Sequence, residues 1–312
     1  MKRNASSDRF PADGQDGFAL LMVVLFLLAV TAILAPLVLA ARTDFLVASN
    51  SLRQDRFDLV AEGLLTVLSR EVSAPELDPH NEDLSLISEP MPCRSGRLRV
   101  DVRIQDQRGL VDLNAANVAL LEAGFMAIGL TRTEASDLAD AAVAFRKIPE
   151  GKDTGRRVDP GIVSDGLKRR PFEAVEELYD FNGIRKIPAA TLAEAFTIRS
   201  QRETVVGDRL SVRLGKILPS KPSSQYPFVA ADNPFPQVFR IDVYVGARDT
   251  GVTGYAGAII NATGNATGDF QMMERLTNPD FLPDEGTDFS NAPACDKLFG
   301  PGVASILATI TG

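Results

Sequence analysis

The sequence predicts an α+β protein in which a long N-terminal helix packs on an antiparallel sheet and an all-α domain is inserted into that sheet. Three observations carry this. An uncharged apolar stretch, Phe18 to Ala41, runs without interruption into an amphipathic one. Segments of strict apolar–polar alternation stand at residues 97–105 and again beyond residue 237. Between them, over residues 109–200, the period changes from that of a strand to that of a helix.

Composition limits the function classes. The chain has 312 residues, a formal charge of −8, one His, two Cys and no Trp. An acidic balance argues against nucleic-acid binding, which leaves a basic footprint. One His and two distant Cys supply no His/Cys zinc set and no Cys–His nucleophile pair. No catalytic constellation emerges, and the chain is read as a non-enzyme.

The elements follow in order. Residues 1–17 form a polar leader in which Lys2, Arg3 and Arg9 balance Asp8, Asp13 and Asp16. Phe18 to Ala41 holds 24 residues without a charge, about 36 Å of helix against a bilayer core of about 30 Å. A secretory signal peptide is the alternative, with a small-residue cleavage site at Val38-Leu39-Ala40. Its apolar core is usually only about 7–15 residues long, however. Lys and Arg in the leader place the N-terminus in the cytoplasm and all that follows Arg42 on the far side of the inner membrane, in the periplasm of a two-membrane cell. Pro36 removes a backbone donor and is expected to kink the apolar half. Residues 42–73 continue the helix. Leu52, Leu59, Val60, Leu64, Val67 and Leu68 make a 3.6-period stripe, and charged residues take the other face.

Residues 74–108 and 201–312 are read as the sheet-bearing body. Arg97 to Gln105 is a strand with Leu98, Val100, Val102 and Ile104 on one face. Phe239, Ile241, Val243 and Val245 repeat that pattern, Tyr255 to Ala262 adds a third strand, and Leu210, Val212 and Leu214 a fourth. Within 109–200, helices are expected at Asn117–Ala123, after Thr131 with its capping box to Glu134, at Phe172–Leu178, and from Ala189 to Phe196 behind Pro188.

A short leader ending in Gly17, then Phe18, then an apolar helix that continues as an amphipathic one resembles a type IV prepilin or pseudopilin. The resemblance implies that a prepilin peptidase cuts between Gly17 and Phe18 and that the new N-terminus, Phe18, is methylated. Gly suits such a scissile bond because it brings no Cβ into a tight site. Pilins mostly carry Glu at the fifth mature position, but here it is Met22. In that absence, in the inserted α-domain, and in the segments Ile104-Gln-Asp-Gln-Arg-Gly-Leu-Val-Asp-Leu-Asn114 and Pro171-Phe-Glu-Ala-Val-Glu-Glu-Leu178, the chain is similar to the K-type minor pseudopilins of type II secretion. The resemblance implies the pseudopilin fold and a place at the fibre tip. It also implies, as partners, the I- and J-type minor pseudopilins, the major pseudopilin and the prepilin peptidase. The stripe at Leu59, Leu64 and Val67 is expected to contact partner helices.

The rival readings are a minor type IV pilin and a membrane-anchored DNA-uptake protein. The same inner segments look like helix-hairpin-helix modules, whose hairpin N–H groups meet phosphate. Against this, residues 110–200 hold 12 Lys and Arg against 14 Asp and Glu, and phosphate binding needs a positive field. Cys93 and Cys295 lie on the oxidising side, where a disulfide is expected; two buried thiols are the alternative. No cofactor is required. The resemblance implies a structural calcium, for which Asp280, Asp284 and Asp288 are candidate ligands, although a solvated acidic loop has the same composition.

Overall fold

The computed structural model describes residues 16–73, 89–96, 98–147, 162–164, 166–230, 237–247, 253–262, 269–277 and 292–296, with 303 and 307. The chain divides into two compact units, Met1–Arg53 and Gln54–Gly312. Helix α1 is one element, Asp16–Ser73, with Pro36 inside it. Its Leu- and Ala-rich sequence favours the helix on either side of Pro36.

In the first unit the described side chains of α1 lie at the surface, from Phe18 through Leu39 to Val47. The helix also satisfies its own hydroxyls. Thr31 Oγ1 donates to the Leu27 carbonyl at 2.9 Å and Thr43 Oγ1 to that of Leu39 at 2.9 Å. Such back-bonding removes the cost of a polar group in apolar surroundings. This stretch is long and apolar enough to cross a membrane.

In the second unit, α1 buries Val60, Ala61, Leu64, Leu65, Leu68 and Val72 against a sheet. The sheet strands are β1 (Met91–Ser95), β2 (Leu98–Asp106), β7 (Gln237–Ala247), β8 (Thr253–Ala262) and β9 (Phe270–Leu276), in that spatial order, with antiparallel neighbours throughout. Alternation decides the faces. Val100, Val102 and Ile104 stand opposite Val245, Val243 and Ile241, and this row packs under α1. The other face is polar, with Arg103 opposite Asp242 and Asp101 opposite Tyr244. The expected strands at 97–105, 238–246 and 255–262 are present within a residue or two; β1 and β9 were not foreseen.

The inserted region begins after Asp106 with a 3-10 turn, Gln107–Gly109, and then β3 (Val111–Asp112). Helix α2 (Val118–Ala127) is capped by Asn117, and α3 (Arg132–Arg146) by Thr131, whose box with Glu134 is fully formed. There follow a 3-10 turn at Val175–Asp180, α4 (Ala189–Ala193), β4 (Phe196–Thr197), β5 (Val205–Val206), α5 (Val212–Gly215) and β6 (Val229–Ala230). β3 pairs in parallel with β4, and β5 with β6.

Three expectations change here. Phe172–Leu178 is no α-helix, because Asn114 grips the backbone of Phe172 at 2.7 and 2.9 Å and Glu177 accepts from the Glu173 amide at 2.7 Å. These local bonds hold a tighter turn further along the chain. Leu210, Val212 and Leu214 form no strand, since Ser211 caps α5 by accepting from the Leu214 amide. The core of this region extends past Ser200, with Val205, Leu214, Leu218, Phe228 and Val229 packed in the same cluster as Leu120 and Phe145. Residues 201–230, expected in the body, therefore belong with the helices. The centre of that core is aromatic: Phe145 lies 4.8 Å from Phe172 and 5.3 Å from Phe181 between ring centroids.

Candidate functional site

The expected processing bond lies in the first turns of α1, where Phe18 is exposed. Helix α1 runs on from there to Ser73, in the second unit (the head, residues 54–312), and the chemistry of its two halves differs sharply. One half offers apolar side chains all round; the other turns them inward to the sheet.

Within the head, the helix is held where β8 begins. Gln54 Nε2 donates to the Thr253 carbonyl, and Asp58 Oδ1 accepts from the Tyr255 amide at 3.1 Å. Gly254 sits between them. A Cβ built there would lie 2.2 Å from the carbonyl carbon of Phe57 and 2.5 Å from the Asp58 nitrogen, so helix and strand backbones meet directly. Glycine is required for this approach.

The expected partner stripe is divided by this packing. Leu64 is 1% exposed and Val67 packs against the same core, whereas Leu59 is 68% exposed. Leu64 and Val67 are thus spent on the chain's own sheet, which lies beneath that part of the helix. A 3.6-period stripe cannot tell an internal sheet from an external helix, and of the three only Leu59 stays available to a partner.

The polar sheet face carries a buried charge network that sequence reasoning missed. Asp242 is fully buried and accepts from Arg103 at 2.9 Å, from Arg240 at 2.9 Å and from the Tyr255 hydroxyl at 2.7 Å. Burial pushes its carboxyl upward, but Arg240, Arg103 and the Tyr255 hydroxyl outweigh this and hold it below the usual carboxylate range. Nearby Tyr244 is pushed up by burial and by the Asp242 charge. The clue in the sequence was the pair Arg240 and Asp242, two apart on one strand face. At the end of this face, where the inserted region meets the sheet, is a cavity of about 120 Å³ bordered by Glu173, Glu176, Phe196, Arg199, Ile259 and Glu274.

Cys93 and Cys295 are bonded, with Cα atoms 5.0 Å apart. Beside them Arg94 donates its amide to the Pro293 carbonyl at 2.9 Å. Asp280, Asp284 and Asp288 lie outside the described residues. Among the described residues no group of three or more His, Cys, Asp or Glu is placed to hold a metal ion.

No protein-family model matches the chain, and no curated protein sequence matches it. Among solved structures, the chain is similar to a chain of the GspK–GspI–GspJ complex of the type 2 secretion system from enterotoxigenic Escherichia coli. The identity is 13%, the match covers 76% of this chain and 99% of that one, and the TM-score is 0.48.

Proposed function

We propose that this chain is a minor pseudopilin of the K type, anchored by α1 in the inner membrane and placed at the tip of a type II secretion pseudopilus. One observation supports this above the others: an uncharged span and a sheet-packing helix are a single element, and a helical region is inserted between two adjacent strands of that sheet. A bulky insertion fits poorly along the side of a packed fibre and has room at its end. Met22 supports the same placement. With no carboxylate there, this helix offers nothing to the terminal amine of a subunit ahead of it, and an uncompensated charge in hydrocarbon costs at least a few kcal/mol.

The role is structural: to start assembly with the I- and J-type subunits after the prepilin peptidase frees Phe18. N-terminal sequencing of the mature protein is expected to begin at Phe18, and Gly17→Val to block processing. A start at Ala41 or Arg42 would instead establish a cleaved signal peptide. Immunogold labelling of assembled fibres tests the placement: label at one end agrees with it, and label along the shaft refutes it.

A further inference from the structure

A guanidinium offers a carboxylate a two-point edge, formed by Nε and Nη2, and three arginines of the head close it. Arg99 holds Asp101 through Nε at 2.7 Å and Nη2 at 2.9 Å. Arg108 holds Asp106 through Nε at 3.1 Å and Nη2 at 2.6 Å. Arg240 holds Asp242 through Nε at 2.9 Å and Nη2 at 3.1 Å. Arg199 departs from this pattern. Its Nη2 donates to Glu274, but its Nε is buried and meets no acceptor among the described residues. A buried donor left without a partner is costly and uncommon.

Arg199 borders the cavity of about 120 Å³ where the inserted region meets the sheet. Its backbone there is fixed: the Arg199 amide donates to Thr197 Oγ1 at 3.0 Å, and that hydroxyl donates to Gln107 Oε1 at 2.7 Å. The side chains of Arg199 and Glu274 are 31% and 41% exposed, so water screens their single bond and Glu274 is exchangeable. The cavity walls are apolar at Val175, Phe196, Ile198 and Ile259, and Arg240 brings a second guanidinium. Glu173 and Glu176 also border it, but both are exposed to solvent, and Lys168 stands 3.4 Å from Glu173. A cavity of this size is well below the about 300–1,000 Å³ of a drug-sized pocket, so it takes one short group.

We infer that this cavity binds a carboxylate on a short aliphatic stem, which closes the Nε–Nη2 edge of Arg199 in place of Glu274. Two parallel charge-assisted bonds then replace one, and the buried Nε gains its acceptor. The stem lies on the apolar wall, and Glu274 is released to water. A small free acid and the C-terminus of a protein chain share this chemistry. The inference concerns the head alone and does not depend on the pseudopilin reading.

The test uses the full-length chain in detergent micelles, with butyrate as the probe and butyramide as its neutral control. Arginine side-chain N–H resonances are the readout, and Arg199→Lys, which lacks one, identifies the Arg199 signal. Butyrate is expected to shift that signal saturably, and butyramide to bind about tenfold more weakly. Glu274→Gln removes the competing carboxylate and should tighten butyrate binding about threefold. Arg199→Lys keeps the charge but loses the fork, and should weaken butyrate binding, followed by saturation transfer to the ligand, about tenfold. Two short peptides ending in Val, one with a free C-terminus and one amidated, separate the sources. Tighter binding of the free-acid peptide than of butyrate assigns the site to a chain terminus, and the opposite order to a free acid; both agree with the inference. It is overturned if neither butyrate nor the free-acid peptide shifts the Arg199 signal, if butyrate and butyramide bind equally, or if Glu274→Gln leaves butyrate binding unchanged or weaker.

Discussion

Gly254→Ala asks whether the head is held to its helix by backbone contact. The added Cβ would stand 2.2 Å from the Phe57 carbonyl carbon, 2.4 Å from its oxygen and 2.5 Å from the Asp58 nitrogen. All three are backbone atoms, so no rotamer relieves the clash, and helix and strand must separate by about 1 Å to restore ordinary contact. Overpacking of this kind costs about 1–3 kcal/mol. The separation also stretches the Asp58–Tyr255 and Gln54–Thr253 bonds, the first of them charge-assisted and worth about 1.5–3 kcal/mol. A total near 3 kcal/mol is expected, read by chemical denaturation of the full-length protein in detergent with a near-ultraviolet tyrosine signal. Gly215→Ala is the companion measurement. Its Cβ would meet nothing within 4 Å, and in helix α5 it should be neutral or stabilising by up to about 1 kcal/mol. Equal stabilities for wild type and Gly254→Ala would refute the backbone-contact argument.

Cys93→Ser with Cys295→Ser opens a loop spanning a sequence separation of 202. Chain entropy puts the loss at up to about 5 kcal/mol, and denaturation midpoints with and without reductant should converge only in the double variant. Asp242 has a depressed carboxyl in the folded state, so its contribution is complete above the unfolded value near 4 and fades as pH falls toward and through the folded one. Unfolding free energies measured from pH 7 to pH 3 should fall in the wild type. Asp242→Asn should start about 3–5 kcal/mol lower, because Arg103 and Arg240 each lose a carboxylate at the buried Asp242 position, and show a shallower acid slope. Leu59→Asp is expected to leave the denaturation midpoint within about 0.5 kcal/mol of wild type while weakening pull-down of the minor pseudopilins proposed as partners. Leu64→Asp should unfold the head, and the reverse pattern would place the partner face elsewhere.

Much of this architecture was legible because periodicity is strong where burial is one-sided. β2, β7 and β8 alternate cleanly, since one face lies under α1 and the other is polar. α3 announced itself through Thr131 and Glu134. β1 escaped notice because Met-Pro-Cys-Arg-Ser is short and holds a Pro, tolerated where Pro92 needs no ladder donor at an edge. β9 escaped because Met, Glu and Arg are weak strand formers and the register shift at Ile259/Ile260 breaks its alternation. The stripe at Leu59, Leu64 and Val67 was visible, but what it faces was not, because helical period reports that a side chain is covered and says nothing of by what. The charge network around Asp242 was hidden for a similar reason: its members come from strands 139 residues apart.

That separation bears on how the chain reaches its native state. The strand leaves the sheet at Asp106 and re-enters opposite it at Phe239, its register partner, so the excursion of about 130 residues begins and ends at one place. For a flexible excursion of that length, bringing the ends together costs on the order of 4 kcal/mol in chain entropy. The inserted region has its own core, from Leu110 to Val229. Once that core has condensed, its two ends stand together and β2 meets β7 as if joined by a short turn. The helical region is then expected to act as an internal template for the sheet. Refolding should show helical content and burial of Phe125 and Phe145 before β2 and β7 pair, and a deletion replacing residues 110–230 with a short turn should speed sheet formation rather than abolish it.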